Sequence, residues 1–263
     1  MERIKAIIIK EWREVFKNKF VLFTVSFLPL MITALPLGIL YFATGSEDFG
    51  GISAADLPPQ LSSLCGDLVG GDCMQYYIVT QFLLLFMMVP VIIPMTIASY
   101  SIVGEKTTRT LEPLLVTPVS TLEILVGKGL AGIIPAVLTT WAGYLLYAVG
   151  AHIMVDNPAV VGKLFDPLWM TAIFVVGPLL SIMGVSIAVM ISSRVNDPRV
   201  AEQISGIFVL PIVGLFIGQT TGFILVNQQF ILWMAGVLLV LDIILFYFAI
   251  QIFQRETILS RWK

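Results

Sequence analysis

The chain has 263 residues, of which 58% are hydrophobic and only 12% are charged, and its formal net charge is −2. Soluble domains are roughly 45–50% apolar and about 25% charged, so this composition excludes an ordinary soluble protein. The small net charge gives no reason to expect a nucleic-acid partner.

An amphipathic segment, residues 1–19, opens the chain. Basic residues and Glu14 occupy one helical face, and the opposite face is apolar: Ile4, Ile7, Ile8, Trp12, Val15 and Phe16. This pattern predicts a helix lying in the membrane interface, with Trp12 at headgroup depth. A lead-in that only anchors the first span is the alternative. The segment is too charged, and the apolar run after it too long, for a cleavable signal peptide.

Six long apolar runs follow: 20–42, 77–103, 129–150, 168–191, 204–226 and 230–253. About twenty helical residues, each rising 1.5 Å, cross a hydrocarbon core of ~30 Å, so each run predicts a membrane-spanning helix. The runs lack the alternation of a barrel strand. We therefore predict an all-α polytopic membrane protein, with residues 1–263 forming a single transmembrane domain.

The basic residues predict the orientation. With six spans and the N-terminus inside, 14 of the 15 lysines and arginines fall in inner segments, and only Lys163 lies outside. The positive-inside rule then places both termini in the cytoplasm.

The first outer loop, residues 44–75, is acidic and contains both cysteines, Cys65 and Cys73, with seven residues between them. Because the outside is oxidising, we expect a disulfide that closes a small loop; two free thiols are the alternative. We expect no metal site, since no histidine lies nearby to complete a ligand set.

Charge is concentrated between the second and third spans, in the stretch Gly104–Ser120. Glu105 and Arg109 lie one helical turn apart, which favours a supporting ion pair. A short helix with an apolar edge of leucines is expected before Pro118, and Ser120 with Glu123 forms a capping-box pattern that starts the next helix. A well-capped loop without any partner would show the same pattern.

Three later features are candidate sites. Asp197 before Pro198 is a good N-cap at the second inner turn, close to Arg199. Asp242 is an acid well inside the sixth span, where it lines a pathway, binds a proton or is a neutral acid hydrogen-bonded to a neighbouring helix. The fifth span repeats glycine every four residues, at Gly214, Gly218 and Gly222, which places all three near one face. That face suits close approach of a helix of the same chain or of a second copy.

The stretch GEKTTRTLEPLLVTPVSTLEILVGK, residues 104–128, resembles the signature of the type-2 ABC exporter permeases. The matching residues are Gly104, Glu105, Thr110, Leu111, Glu112, Leu114, Leu115, Thr117, Pro118, Val119, Ile124, Leu125, Gly127 and Lys128. Pro113 departs from the pattern, since a polar residue is more usual there. The amphipathic lead-in, the six spans and the second inner turn, Ala201–Ser205 with Pro211, extend the resemblance over nearly the whole chain.

The resemblance implies a plasma-membrane permease that pairs with a second copy, giving a homodimer, and docks on separate cytoplasmic ABC ATPase subunits. The 104–120 loop would be its coupling helix on the ATPase. Residues expected to take part in ATPase coupling are Glu105, Lys106, Arg109, Leu111, Glu112, Leu114 and Leu115. Asp197 and Arg199 would form a second cytoplasmic contact.

The chain contains no G-x-x-x-x-G-K-[ST] phosphate-binding motif, so we expect ATP and Mg²⁺ on the partner subunit and no cofactor on this chain. It also lacks H-E-x-x-H and G-x-S-x-G, and Asp242 has no paired acid for an intramembrane enzyme. A membrane scaffold or immunity-type protein without transport is the alternative. Family members move drugs, peptides, lipid-linked glycans or ions, and the sequence does not select among them.

Overall fold

A computed structural model describes residues 2–45, 68, 71–108, 120–224 and 226–252. Six helical segments within these ranges are long and apolar enough to cross a membrane: Lys19–Phe42, Gly71–Thr107, Thr121–Met154, Pro158–Ser192, Pro198–Thr220 and Gln228–Ile252. No β-strand occurs in the described ranges. The prediction of an all-α, six-span membrane protein is confirmed.

The helices are numbered in chain order. Helix α1 is Glu2–Val15, and α2, Lys19–Gly45, is the first span. The second span is α3, Gly71–Phe86, followed by α4, Val89–Thr107, and the third is α5, Thr121–Met154. The fourth contains α6, Pro158–Gly162, α7, Pro167–Thr171, and α8, Gly177–Ser192. The fifth is α9, Pro198–Gly206, with α10, Leu210–Thr220, and the sixth is α11, Gln228–Ile252.

Three prolines coincide with interruptions of the spans. Pro90 follows the break between α3 and α4, and Pro178 follows a π-helical segment, Ala172–Val176, that leads into α8. Pro211 follows a 3₁₀ turn, Ile207–Val209, that separates α9 from α10. Proline has no backbone N–H and fits the first turn of a helix, so a new helix starts at each of these positions.

The second and fourth spans form the centre of the bundle. Helix α4 packs against α8, α5 and α9, and α5 also packs against α2 and α8. In the most apolar stretch of the second span, 78% is buried inside the protein, whereas in the corresponding stretch of the sixth span only 17% is buried. The sixth span, which packs mainly on α8, therefore leaves most of its surface uncovered by the described part of the chain.

The chain crosses the bundle alternately, so two ends can be distinguished. The basic end is where α4 finishes at Thr107, α5 starts at Thr121 and α8 finishes at Ser192. At the opposite end, Asn157 Nδ2 donates to Asp72 Oδ2 at 2.7 Å, joining the start of α6 to the start of α3.

Candidate functional site

The charged stretch between the second and third spans is closed at its base by a buried ion pair. Glu105 lies in the last turn of α4 and Lys128 in the second turn of α5, so one residue precedes the loop and the other follows it. Lys128 Nζ lies 2.7 Å from Glu105 Oε2. Both residues are buried, with exposed fractions of 4% and 3%.

Helix α1 supplies two further charges to this pair. Glu11 Oε1 lies 2.7 Å from Lys128 Nζ, and Lys10 Nζ donates to Glu105 Oε1 at 2.5 Å. Ser101 of α4 donates to Glu11 Oε2 at 2.5 Å and accepts from Lys128 Nζ at 2.8 Å. We call these five residues the basic-end cluster. Its two carboxylates and two ammonium groups balance, as buried charges require.

Lys10 is the member of the cluster nearest to water. Burial lowers the pKa of its ammonium group, but the hydrogen bond to Glu105 and the charges of Glu105, Glu11 and Glu14 outweigh burial, so the pKa is raised above its usual value. Because the pKa is raised, Lys10 stays charged throughout the physiological range and the pair with Glu105 persists there.

Close packing holds α1 against the start of α5. Ile7, Glu11 and Val15 form the buried face of α1, and Trp12 Nε1 donates to Ala131 O at 2.9 Å. A Cβ on Gly127 would lie 2.8 Å from Ile7 Cγ2, so a side chain there would displace Ile7. The amphipathic helix predicted from the sequence is present, and its apolar face packs on the protein. Its position relative to lipid stays a prediction.

Glu105 is buried, and its carboxylate contacts Lys10 and Lys128 of the same chain. The sequence suggested a pair with Arg109 and a direct contact with an ATPase. Arg109 lies outside the described residues, so both stay predictions.

The other residues of the expected coupling loop are only partly described. Lys106 Nζ donates to Ser193 O at 3.3 Å and to Val195 O at 3.2 Å, which ties the end of α4 to the second turn at the basic end. The remaining residues lie outside the described ranges: Arg109, Leu111, Glu112, Leu114 and Leu115.

Both predicted helix caps at the basic end are present. Ser120 Oγ accepts from Glu123 N at 3.2 Å, and Glu123 Oε2 accepts from Ser120 N at 2.8 Å, which completes the capping box of α5. Asp197 Oδ1 accepts from Arg199 N at 2.8 Å and caps α9. Whether Asp197 and Arg199 also contact a partner stays a prediction.

A cleft of about 530 Å³ opens beside the basic-end cluster. Its walls come from α1, α4 and the start of α9, and they include Glu14, Asn18, Tyr100, Thr108 and Pro198. Glu11, Ser101 and Glu105 also border it. The cleft therefore connects the buried charges to the surface from which the 104–120 loop leaves the bundle.

A comparison with protein families matches residues 5–231 to the family described as ABC-2 family transporter protein. The matched residues include most of α1, the basic-end cluster and the first five spans. The chain belongs to the ABC-2 transporter family. A search among curated proteins finds no match. The chain is therefore a membrane permease of the ABC transporter class.

The glycine repeat of the permease is only partly on one helix face. Gly222 lies beyond the end of α10 and has a φ of 75°, so it ends the helix and does not continue the face. The chain then folds back, and Ile224 N donates to Gly218 O at 3.0 Å. A Cβ on Gly218 would lie 2.7 Å from Ile224 Cδ1, so Gly218 packs within its own chain. Nothing lies within 4 Å of the Cβ position at Gly214.

The cysteines and Asp242 of the permease lie in different surroundings. Cys73, in the first turn of α3, is 1% exposed, and Cys65 lies outside the described residues, so the disulfide stays a prediction.

Asp242 is 6% exposed on the buried face of α11, and neither carboxylate oxygen has a hydrogen-bond partner among the described residues. The predicted alternative, a hydrogen bond from Asp242 to a neighbouring helix, is therefore not formed among the described residues.

Sequence reasoning missed the partners within the basic-end cluster. Lys10 was assigned to the polar face of α1, and Lys128 was recognised only as the end of the family motif. A usable signal was present at Glu11. It follows Ile7 and precedes Val15 at four-residue spacing, so an acid occupies the buried face of an amphipathic helix. Buried acids need a partner, and that requirement points to a lysine on another helix.

Proposed function

We propose that this permease exports a substrate across the plasma membrane, driven by ATP that separate cytoplasmic ABC subunits hydrolyse with Mg²⁺. Membership of the ABC-2 family supports this, and so does the absence of a phosphate-binding motif from the sequence. The distribution of basic residues supports a cytoplasmic location for the basic end and both termini. Two copies would form a homodimer around the transport path.

The observation that carries the proposal is the basic-end cluster. A loop that receives force from an ATPase must be rigidly joined to the spans. Glu105 and Lys128 join the two ends of the loop to each other, and Glu11 joins them to α1. Sliding one of these helices would separate buried charges, at a cost of about 3–5 kcal/mol for each broken pair. Helices α1, α4 and α5 therefore move together when the loop is displaced.

The coupling residues then divide into two groups. Arg109, Leu111, Glu112, Leu114 and Leu115 would form the surface that contacts the ATPase. Glu105 acts indirectly by holding the base of the loop, and Lys106 links that base to the second turn through Ser193 and Val195. Asp197 and Arg199, at the start of α9, would provide the second contact. Charge reversal in the first group should weaken docking, whereas neutralisation in the cluster should leave docking intact and weaken transmission.

The test is co-purification of an ATPase with the tagged permease from its native membrane, followed by measurement of ATP hydrolysis in proteoliposomes. We expect Glu112→Lys to lose the ATPase. We expect Glu105→Gln to retain it but to reduce the permease-dependent change in the hydrolysis rate. Glu2→Gln is the matched control, because Glu2 is an exposed carboxylate on the same helix as Glu11.

The competing function is a membrane scaffold or immunity-type protein. If no ATPase co-purifies with the unchanged chain, the export proposal is wrong, and the hypothesis of a membrane scaffold is favoured. If Glu105→Gln and Glu2→Gln give equal hydrolysis rates, the cluster has no part in coupling.

A further inference from the structure

An apolar cavity lies between the third, fourth and sixth spans. Its volume is about 230 Å³, and its walls come from α5, α8 and α11. The residues that define it include Val126, Gly129, Ile182, Val185, Phe246 and Ala249. Val126 is partly exposed, so the cavity is a groove that opens at the protein surface near Val126. We call it the α5–α11 groove.

Asp242 lies one turn before Phe246 on α11. At 100° per residue, Asp242, Phe246 and Ala249 lie within about 60° of one another, on the same face of the helix. That face is the one that α11 buries against the bundle, together with Ile231 and Leu238. Asp242 is 14 residues from the start of α11 and 10 from its end, which places it about 21 Å and 15 Å from the two ends.

The described residues of the helices that pack around Asp242 provide no free cation. Helix α11 packs against α8, the π-helical segment, α7 and, less extensively, α5. The sequences of α7, α8 and the π-helical segment contain no lysine, arginine or histidine. On α5, Lys128 is held by Glu11 and Glu105, and His152 is in the last turn, at the opposite end of the bundle. A carboxyl group at this depth is costly to keep without a partner, which makes it a candidate functional group.

We propose that the α5–α11 groove and Asp242 form a binding site for a lipophilic organic cation. This inference rests on the proposed function and names its substrate class. An alkyl or aryl arm fills the groove, and the positive group of the same molecule pairs with Asp242 one turn away. Enclosed sites for drug-sized ligands are about 300–1,000 Å³, so the groove holds one arm while the rest of the ligand lies between the spans. The opening at Val126 supplies the entry route.

The test measures binding to the full-length permease in nanodiscs of zwitterionic lipid by calorimetry, with empty nanodiscs subtracted. The probes are decyltrimethylammonium and decyl sulfate, which have the same alkyl arm and opposite charges, both kept below their micellar concentrations. We expect the ammonium to bind more tightly than the sulfate. Asp242→Asn should weaken ammonium binding by about tenfold, the usual cost of losing a charged partner, and Asp242→Glu should retain most of it.

A second variant pair tests the groove. Val126→Trp fills its mouth and should abolish ammonium binding, whereas Leu138→Trp should not, because Leu138 is 56% exposed on the same helix and does not line the groove. Equal affinity for the two probes would show an apolar groove that accepts any lipid tail and would overturn the proposal. Unchanged ammonium binding in Asp242→Asn, or no ammonium binding at all, would also overturn it. If Asp242→Asn does not fold, the affinities of the two probes for the unchanged chain still decide whether the site prefers a cation.

The assay contains no ATPase. Its failure would therefore remove the substrate class and leave the export proposal standing. Failure to co-purify an ATPase would instead remove export and leave a measured cation site in place.

Discussion

Lys128 Nζ lies 2.7 Å from Oε1 of Glu11, a residue 117 positions earlier in the chain. Both side chains are only 2% exposed. The contact joins an N-terminal helix to the residue that ends the charged family motif. Helix α1 is thus joined, through Lys128, to the residues on both sides of the 104–120 loop.

Lys128→Met should destabilise the permease by about 3–5 kcal/mol, because it leaves the buried carboxylates of Glu11 and Glu105 facing each other without their shared cation. Thermal unfolding in nanodiscs measures the loss. Lys5→Met is the control, since Lys5 is exposed on α1. Equal unfolding temperatures for the two variants would show that the cluster contributes nothing to stability.

Gly127→Ala should loosen α1 from α5, because the new methyl group would lie 2.8 Å from Ile7 Cγ2. Limited proteolysis within residues 1–19 reports the loosening. Ile7→Ala in the same chain should restore part of the protection, because it removes Cγ2 and Cδ1 and leaves only the Cβ atom, 3.0 Å from the new methyl group. Gly206→Ala, where nothing lies within 4 Å of the Cβ position, should behave like the unchanged chain. If the double variant is cleaved as fast as Gly127→Ala alone, the clash is not the cause.

Gly214→Leu should reduce dimerisation if the second copy approaches α10 there, since the chain itself places nothing within 4 Å of that position. Crosslinking between cysteines placed along α10, in native membranes, measures the approach. Gly218→Leu is the matched comparison, and it should instead displace Ile224 of the same chain. Crosslinking through another span, with none through α10, would exclude this face as the dimer contact.

The predicted Cys65–Cys73 disulfide needs a test on unfolded protein. Cys73 is 1% exposed, so even a free thiol there would react slowly in the native state. We expect a maleimide to label neither cysteine in denaturant until a reductant is added. Labelling of both thiols before reduction would exclude the bridge.

Several features of the site were predictable because they are local. The capping box joins Ser120 to Glu123, three residues apart, and the Asp197 cap joins residues two apart. The repeat at Gly222 was misread because a four-residue spacing does not show where a helix ends. The positive φ of Gly222 ends α10 before that residue.

The sequence by itself determined the six spans, the caps and the family motif, because apolar length and cap chemistry act over a few neighbouring residues. Only the tertiary structure decided which charges meet. The structure buries Glu105 against Lys10 and Lys128, two contacts that the sequence did not predict. Those contacts depend on how α1 crosses α4 and α5, which Gly127 and Ile7 set by close packing. Ion pairs across such distances in sequence follow from helix packing, and no local pattern encodes them.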